Sequence, residues 1–460
     1  MKSIRHRLIR SSWLLALAGC GRPAQSGDAP AGLRPATAVV PGRVVSPRPR
    51  SWRLAPNSPF HLAAEGLHDA GLVTLGQHQV LRSRACSGVG QSLSLRLVEG
   101  EAFAEHALPD SPAVSTEHGS PGDDAISGSW PDNLLVLVKH AHKPNDPSGR
   151  EGALLRWNGS RWSELTLPHP VTPPVEYRPY LPYALLPGYD GGVLVAQSRP
   201  GERFGGRVEP FYLVGRTPRP APDFSGLDFP SESANIPSNH VEYGALASGE
   251  PFVIHDALFQ RTRRSILSLA RSTKAGAVKL DTVIDVPRSI DFQFVTGQLD
   301  SRSVLVVYGQ ETLGPTHQTW LRVYDATSEI ELGPAAKLAP GRDAVRFWLA
   351  GGKLWLHRGD VVLRLDPDGW KPHAKLAFSA GVTSVEGSAA FWANEQGKPS
   401  YFDESGTRHE VPWLVGEGQP FVLGITVRET NDVWLTARTA EGESLVFRTH
   451  AMKGLLTCTP

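Results

Sequence analysis

Two histidines and a few oxygen-bearing residues are the side chains whose types and spacing could hold a metal ion. His140 and His142 lie two positions apart, so on a β-strand they would share one face, as metal ligands do. No third ligand stands near them in sequence, and we interpret both as polar residues at a solvated loop edge. Two Gly-, Pro- and Ser-rich segments carry further candidates that we interpret as turn formers: Asp123, Asp124, Asn145 and Asp146.

The local motifs of common enzymatic chemistry are absent from the sequence. There is no Gly-x-Ser-x-Gly nucleophile elbow, no His-Glu-x-x-His zinc motif and no Gly-rich phosphate loop ending in Lys-Ser or Lys-Thr. We therefore assign no catalytic, cofactor-binding or metal-ligating residue and no cofactor. A site assembled from loops of several repeats would leave no local motif, so the interpretation leans away from an enzyme without excluding one.

The charge balance argues against a nucleic-acid partner. The chain of 460 residues has 47 Lys and Arg against 46 Asp and Glu, a formal net charge of +1, and thus lacks the basic field of a nucleic-acid binder. Its tightest basic run, Arg261, Arg263 and Arg264, is interpreted as a solvated loop.

The first 20 residues have the features of a secretory signal. Lys2, Arg5, Arg7 and Arg10 form a basic region before a short apolar run, Trp13–Ala18. This run is far below the ~20 residues of a membrane-spanning helix. We therefore expect residues 1–20 to direct export.

Leu17-Ala18-Gly19-Cys20 resembles the lipobox of bacterial lipoproteins. The resemblance implies cleavage before Cys20, acylation of its thiol and amino group, and anchoring of the protein in the cell envelope by several acyl chains, palmitate among them. Gly21 follows the cysteine where that family uses Asp for inner-membrane retention, which implies the outer membrane. The alternative is an ordinary secreted protein with a chance cysteine.

Residues 21–60 are rich in Pro, Ala and Arg and lack hydrophobic periodicity. Such a composition predicts a disordered, partly extended tether. The remaining residues, 61–460, are expected to form the folded body.

Cys86 and Cys458 are the two cysteines that remain when Cys20 is acylated. In an oxidising compartment an even pair is readily interpreted as a disulfide, and here it would join the start and the end of the body. Two unpaired buried thiols are the alternative.

Short apolar strands recur every 35–60 residues along the body. The clearest unit is Asp343–Phe378, which contains three or four short strands separated by Gly-Gly, Arg-Gly-Asp and Pro-Asp-Gly turns. Looser copies begin at runs such as Asn133–His140 and Ser303–Gly309. We count about eight units, and expect each continuous apolar run to be the inner strand of its unit.

This spacing brackets the four-stranded blade of a β-propeller. We predict an all-β fold, a single β-propeller of about seven to eight four-stranded blades after a disordered tether. Tandem β-sandwiches are the competing interpretation, and Ala257–Ala270 fits a helix as well as strands. Five tryptophans are expected to pack between blades: Trp162, Trp348, Trp355, Trp370 and Trp434.

The segments Val361–Trp370 and Ser400–Gly406 resemble the strand-Asp-x-x-Gly turns of quinoprotein-like propellers, and Gly191-Gly192 and Gly351-Gly352 resemble kelch double glycines. Envelope lipoproteins with propeller bodies act as scaffolds. The resemblance thus implies a lipid-anchored binding or scaffold module for another protein, and a propeller hydrolase or lyase acting on a polysaccharide is the alternative.

Replacement of the anchoring cysteine tests the lipid attachment. In a Cys20→Ala variant we expect the protein to move from the membrane fraction to the soluble fraction, because the acylated thiol is removed. Immunoblotting of separated fractions measures this, with Cys86→Ala as the control that retains the lipobox. Equal membrane partitioning of Cys20→Ala and the unchanged protein would refute the anchor.

Overall fold

The architecture was determined from a computed structural model. The chain divides into two compact units, Met1–Pro49 and Arg50–Pro460. The structure describes the following residues, all in the second unit: 51–67, 70–75, 78–84, 93–106, 126–129, 133–139, 152–165, 183–188, 192–197, 211–214, 219–220, 224, 227, 238–259, 264–272, 278–311, 317–341, 343–376, 379–385, 387–429, 431–453 and 455–457.

The described residues form eight sheets of four or five strands, numbered here in chain order. Sheet 1 comprises Gly71–Leu75, His78–Arg84, Leu93–Glu99 and Ala102–His106, and sheet 2 comprises Ile126–Ser129, Asn133–Lys139, Gly152–Trp157 and Trp162–Leu165. Sheet 3 comprises Tyr183–Pro187, Val193–Gln197, Phe211–Val214 and Arg219–Pro220, and sheet 4 comprises Ser238–Ala245, Pro251–Phe259, Arg264–Ser272 and Val278–Val286. Sheet 5 comprises Ile290–Leu299, Arg302–Glu311, Thr319–Tyr324 and Glu329–Ile330, and sheet 6 comprises Val345–Ala350, Lys353–Arg358, Val361–Asp366 and Gly369–Lys375. Sheet 7 comprises Ser379–Thr383, Phe391–Glu395, Lys398–Phe402 and Arg408–His409. Sheet 8 has five strands, Phe421–Glu429, Asp432–Arg438, Ser444–Arg448, His61–Leu67 and Leu456–Thr457.

Sheets 1 to 7 are up-and-down antiparallel sheets in which strand order follows the chain. The first strands of successive sheets contact one another, for example Ile290–Leu299 with Val345–Ala350, so these strands lie nearest the centre of the array. This is the arrangement of a β-propeller, and the predicted all-β fold is confirmed. For Ala257–Ala270 the strand interpretation is the correct one of the two left open, because its described residues, 257–259 and 264–270, belong to two paired strands of sheet 4.

The continuous apolar runs form the second strand of their sheets. Val304, Leu305, Val306 and Val307 are fully buried, because the second strand of a blade has strand neighbours at both edges and a sheet against each face. The expectation that these runs are the innermost strands is therefore wrong by one position. The first strands, which lie closer to the centre, have mixed burial, as in Ile290–Leu299.

Eight hydrophobic clusters each join one sheet to the next. Leu305 and Ile254 share a cluster between sheets 4 and 5, and Leu81 and Trp434 share one between sheets 1 and 8. The last of these shows that the array closes on itself. Closure excludes separate tandem sandwiches, each of which would have its own core between two facing sheets.

The five tryptophans of the prediction pack between sheets. Trp355 and Trp434 are fully buried. Trp162, Trp348 and Trp370 are partly buried and lie against the clusters between sheets 1 and 2, 6 and 7, and 5 and 6. Their large apolar surfaces fill the space where two twisted sheets diverge.

Sheet 8 combines strands from both ends of the body. His61–Leu67 pairs antiparallel with Ser444–Arg448, and Leu456–Thr457 pairs in parallel with it. The preceding residues belong to the folded body as well: Trp52–Leu54 pairs with Leu414–Gly416, and Phe60 is buried against Trp413. Residues 51–60, which the sequence assigns to the tether, thus pack against strands of the body in the part of the chain that is described.

A buried arginine fixes the closing sheet to sheet 1. Arg448 donates two hydrogen bonds to Asp432 at 2.7 and 2.9 Å and a third, of 2.5 Å, to the carbonyl oxygen of Gly100 in sheet 1. Its guanidinium lies 4.6 Å from the ring centre of Trp434. All of these contacts are buried or partly buried, so the closure has a directional component besides apolar packing.

The same device recurs between sheets 4 and 5. Arg271 is bonded to Asp281, donates to the carbonyl oxygen of Asp325 in the next sheet at 2.7 Å and lies 4.8 Å from the ring centre of Tyr324. In both places an arginine of a third strand reaches the turn that follows the third strand of the next sheet.

Turns between the third and fourth strands use an Asn or Asp whose side chain accepts backbone N–H bonds. Asp325 accepts from the N–H groups of Thr327 and Ser328 at 2.8 Å, and Asp403 accepts from those of Ser405 and Thr407 at 2.9 and 3.0 Å. The Asx turn at Asp403 accounts for the Asp-x-x-Gly spacing of Ser400–Gly406.

Among the described residues, no helix is long and apolar enough to span a bilayer. The structure does not test the signal or residues 21–50 of the tether, since residues 1–50 lie outside the part of the chain that it describes.

Loss of one partner of the buried ion pair is expected to weaken the ring. Arg448→Met leaves the Asp432 carboxylate without its main partner, at a cost of about 3 kcal/mol. In the double variant Arg448→Met with Asp432→Leu, the loss in free energy of unfolding should be smaller than the sum of the losses in the two single variants, because no buried charge remains unpaired. Urea unfolding measures these differences.

The matched control is Arg264→Met, which breaks the exposed pair with Asp285 and should cost less than about 1 kcal/mol. Equal losses for the buried and the exposed pair would contradict the assigned role of Arg448.

Candidate functional site

Most residues singled out in the sequence lie outside the described part of the chain. This holds for Cys20, Cys86 and Cys458, so acylation and the disulfide stay predictions, and equally for the possible metal ligands: His140, His142, Asp123, Asp124, Asn145 and Asp146. Of the basic run, Arg264 is described. It is exposed and donates to Asp285 at 2.6 Å, in agreement with a solvated charge.

One face of the ring gathers the candidate sites, and we call it the leading face. It is the face at which the first strand of each sheet begins. Because strands in a sheet alternate in direction, the ends of the second strands and the connections from the preceding sheet meet at the same face.

Two carboxyls at the leading face, Asp256 of sheet 4 and Asp291 of sheet 5, lie close enough for the charge of Asp291 to act on Asp256, and we call them the Asp256–Asp291 pair. Asp256 lies near the end of the second strand of sheet 4, and Asp291 is the second residue of the first strand of sheet 5. Burial raises the pKa of Asp256 to about 7, and the negative charge of Asp291 contributes to the rise. Asp291 is open to solvent on one side, and its partial enclosure raises its own pKa.

The shape of the strand Pro251–Phe259 explains the burial of Asp256. The alternate residues Phe252 and Ile254 belong to the cluster between sheets 4 and 5, so Asp256 points into the same interface. Its Oδ1 atom is buried and has no hydrogen-bond partner among the described residues. A carboxyl with this environment favours the protonated form.

Polar groups of sheet 5 lie beside the pair. The Tyr308 hydroxyl donates to the Oε1 atom of Gln293 at 2.6 Å, and burial raises the pKa of Tyr308, with the charge of Asp291 adding to the effect. His255 points to the other face of its sheet, where complete burial lowers its pKa to about 4. His255 is therefore a neutral core residue and does not belong to the pair.

A carboxyl whose pKa is raised to about 7, as that of Asp256 is, can donate and accept a proton near neutral pH, as general acid–base chemistry requires. Within the described ranges no group of three or more His, Cys, Asp or Glu is placed to hold a metal ion. Sequence reasoning missed this pair. The only signal was a carboxylate inside the mostly apolar run PFVIHDALF. The sequence does not show that Asp291 of sheet 5 lies near this carboxylate, because the two residues belong to different sheets.

An apolar patch occupies the leading face at sheet 8. Phe421 and Leu423 lie two residues apart at the start of its first strand, with 45% and 44% of their surface exposed, and Val415 in the preceding connection is 37% exposed. The Phe421 ring lies over Gly397, where a Cβ atom would come within 2.1 Å of it. Glycine at that position therefore lets the aromatic ring settle on the turn of sheet 7.

A cleft of about 560 Å³ lies elsewhere, at the outer edge of sheet 5. It is lined by the third strand, Thr319–Tyr324, and by the segment that follows the short fourth strand. Its Arg322 and Glu329 form an exposed ion pair at 3.2 Å. The cleft is separate from the Asp256–Asp291 pair.

No family model matches the chain, and no curated protein matches it. Solved structures that resemble it include the β-propeller domain of the Trilobed protease from Pyrococcus furiosus, at 10% identity and a TM-score of 0.39 over 87% of this chain and 98% of that one. The WD40 domain of SCAP from fission yeast is similar at 7% identity and a TM-score of 0.29, over 86% and 90% of the two chains.

Peptidase structures also resemble the chain. A prolyl endopeptidase shares 12% identity at a TM-score of 0.38, and a Mycobacterium tuberculosis puromycin-hydrolyzing peptidase shares 13% at 0.37; they match over 83% and 85% of this chain. The chain spans only 54% and 60% of their lengths. At these values none of the comparisons bears on activity, and the quinoprotein-like and kelch-like resemblances stay predictions.

Removal of the Asp256 carboxyl should stabilise the protein at high pH. Between an unfolded pKa near 3.8 and a folded pKa of about 7, the folded protein binds more protons than the unfolded chain, so stability falls as the pH rises and levels off above 7. Asp256→Asn should abolish this fall. We expect a gain of at most about 4 kcal/mol at pH 8 and little change at pH 4, measured by urea unfolding.

Asp285→Asn is the matched control with the opposite sign. The hydrogen bond from Arg264 lowers the pKa of Asp285, so this substitution should slightly destabilise the protein at pH 8 and have less effect as the pH falls. The raised pKa of Asp256 would be contradicted if the free energy of unfolding of the unchanged protein rose between pH 4 and 7 by as much as that of Asp256→Asn.

Proposed function

We propose that the protein is a lipid-anchored envelope protein whose propeller body binds another protein through the leading face. The observation that carries the proposal is the apolar patch at sheet 8. Of the five large apolar side chains found exposed in the described residues, Phe421, Leu423 and Val415 lie together in this part of the chain. Exposed apolar clusters on a soluble body are typical of interaction sites.

The patch is suited to a binding surface because its residues are held in place. Val422, between the two exposed side chains, is fully buried and its N–H donates to the carbonyl oxygen of Gly397 at 2.9 Å. Asn394 in turn donates to the carbonyl oxygen of Val422 at 2.7 Å. A side chain on such a fixed backbone loses little freedom on binding, which favours affinity.

The anchor is the second part of the proposal. Acylation of Cys20 would attach the chain to a membrane, with the outer membrane as the expected location. The lipobox-like sequence supports this part, and the Cys20→Ala experiment described above tests it independently of the patch.

Catalysis on a polysaccharide is the second candidate function, and the Asp256–Asp291 pair favours it. Paired carboxyls, one of them protonated near neutral pH, are the groups that glycosidic bond cleavage uses. Release of reducing sugars from envelope polysaccharides by the purified protein, lost in Asp256→Asn, would establish this function. Equal release by the variant, or none by the unchanged protein, would remove it.

Photo-crosslinking in intact membranes tests the binding function. A photoreactive amino acid that replaces Leu423 should yield a discrete crosslinked product, because the patch contacts the partner directly. The matched control places the same amino acid at Leu455, which is 46% exposed and lies outside the patch. Addition of Phe421→Ser to the Leu423 probe should reduce the yield.

Products of equal amount and size from the two probe positions, or none from position 423, would contradict the proposal. The membrane fraction is checked first, so that loss of the anchor is not mistaken for loss of the partner.

A further inference from the structure

Sheet 5 has an incomplete outer edge. Its fourth strand, Glu329–Ile330, pairs with only two residues of the third strand, Tyr324 and Val323. The fourth strands of the neighbouring sheets, Val278–Val286 and Gly369–Lys375, are much longer. The remaining third-strand residues, Thr319–Arg322, have no outer strand partner within the described part of the chain.

The chain leaves the edge after Ile330, packs against sheet 6 and returns to the edge at Gly341, which exchanges two backbone hydrogen bonds with His317, so the open stretch Thr319–Arg322 lies between two paired ends. Leu332 and Leu338 join the cluster between sheets 5 and 6, and the indole of Trp370 donates to the carbonyl oxygen of Ala336 at 2.9 Å. The 560 Å³ cleft lies between this segment and the third strand. It occupies the position that a continued fourth strand would fill.

The backbone polarity of the edge follows from the turn. Asp325 N–H donates to the carbonyl oxygen of Ser328 at 3.0 Å, so the backbone polar groups of Asp325 point to the outer edge of sheet 5. In an antiparallel ladder this direction alternates from residue to residue. The backbone N–H and C=O groups of Val323, Leu321 and Thr319 therefore point to the outer edge as well. On the inner side, Glu311 N–H donates to the carbonyl oxygen of Gln318 at 3.0 Å, which fits the same alternation. The N–H groups of Thr319 and Leu321 therefore point into the cleft.

We propose that this cleft binds an extended peptide segment of a partner protein by strand addition. Only an extended backbone offers donors and acceptors at the spacing that such an edge requires. The side chain of Leu321 lies against the cluster that includes Leu332 and Leu338, and a peptide residue opposite Leu321 would point to the same face, so an apolar residue fits there.

Charge in the cleft selects the type of segment. Two basic residues, Arg322 and Lys337, balance two acidic ones, Glu329 and Glu331. The matching ligand is therefore a segment without net charge, with apolar side chains at alternate positions. This site is separate from the apolar patch on the leading face, so either can fail without the other.

The test uses a displayed library of random decapeptides, selected against the full-length protein, and synthetic copies of the enriched sequences. Thr319→Pro removes one outward N–H without breaking the inner ladder, since proline is tolerated at the first residue of a strand. Thr319→Ala, which keeps that N–H, is the matched control. Fluorescence anisotropy should show binding about tenfold weaker for Thr319→Pro than for Thr319→Ala.

Hydrogen exchange gives a readout that does not depend on folding of the proline variant. A bound peptide should slow exchange at the amides of Thr319 and Leu321 in the unchanged protein, whereas exchange at Phe421 and Leu423 should not change. No enriched peptide, equal binding to both Thr319 variants, or protection confined to the leading face would each overturn the proposal.

Discussion

The need to cover both faces of every sheet is the constraint on which the rest of this structure depends. The second strands carry apolar side chains on both faces, as the full burial of Leu354, Trp355 and Leu356 shows. A linear row of such sheets would leave one apolar face exposed at each end, whereas a closed ring leaves none. The contacts between sheets 8 and 1, which include those of Arg448, therefore bury the two apolar faces that a linear row would leave exposed.

The positions of the two candidate sites follow from the same constraint. The second strands are committed to packing, so functional groups are confined to strand ends and to the first strands near the centre. Asp256 is an exception in that it lies on a second strand, but near its end, where the charge of Asp291 in the next sheet acts on it. Phe421 and Leu423 lie on a first strand, whose position leaves part of each side chain open to solvent.

Sequence reasoning was sufficient for features that depend on local pattern. The apolar runs, the turn at Asp403 and the packing role of Trp355 and Trp434 all follow from residues close to one another in the chain. It could not show that His61–Leu67 enters the last sheet, because its short apolar pattern is compatible with any free strand edge. It likewise missed the Asp256–Asp291 pair and the two-residue fourth strand Glu329–Ile330, which depend on how neighbouring sheets are placed.

The closing sheet also dictates the order in which the body can be completed during synthesis. The hydrogen bond from Gly66 to Glu443 joins residues 377 positions apart, so the strand His61–Leu67 leaves the ribosome long before its partners exist. Sheets 1 to 7 need no strand from beyond their own segments and can form in turn. Until Ser444–Arg448 arrives, the strand His61–Leu67 lacks the antiparallel partner that it has in the complete body.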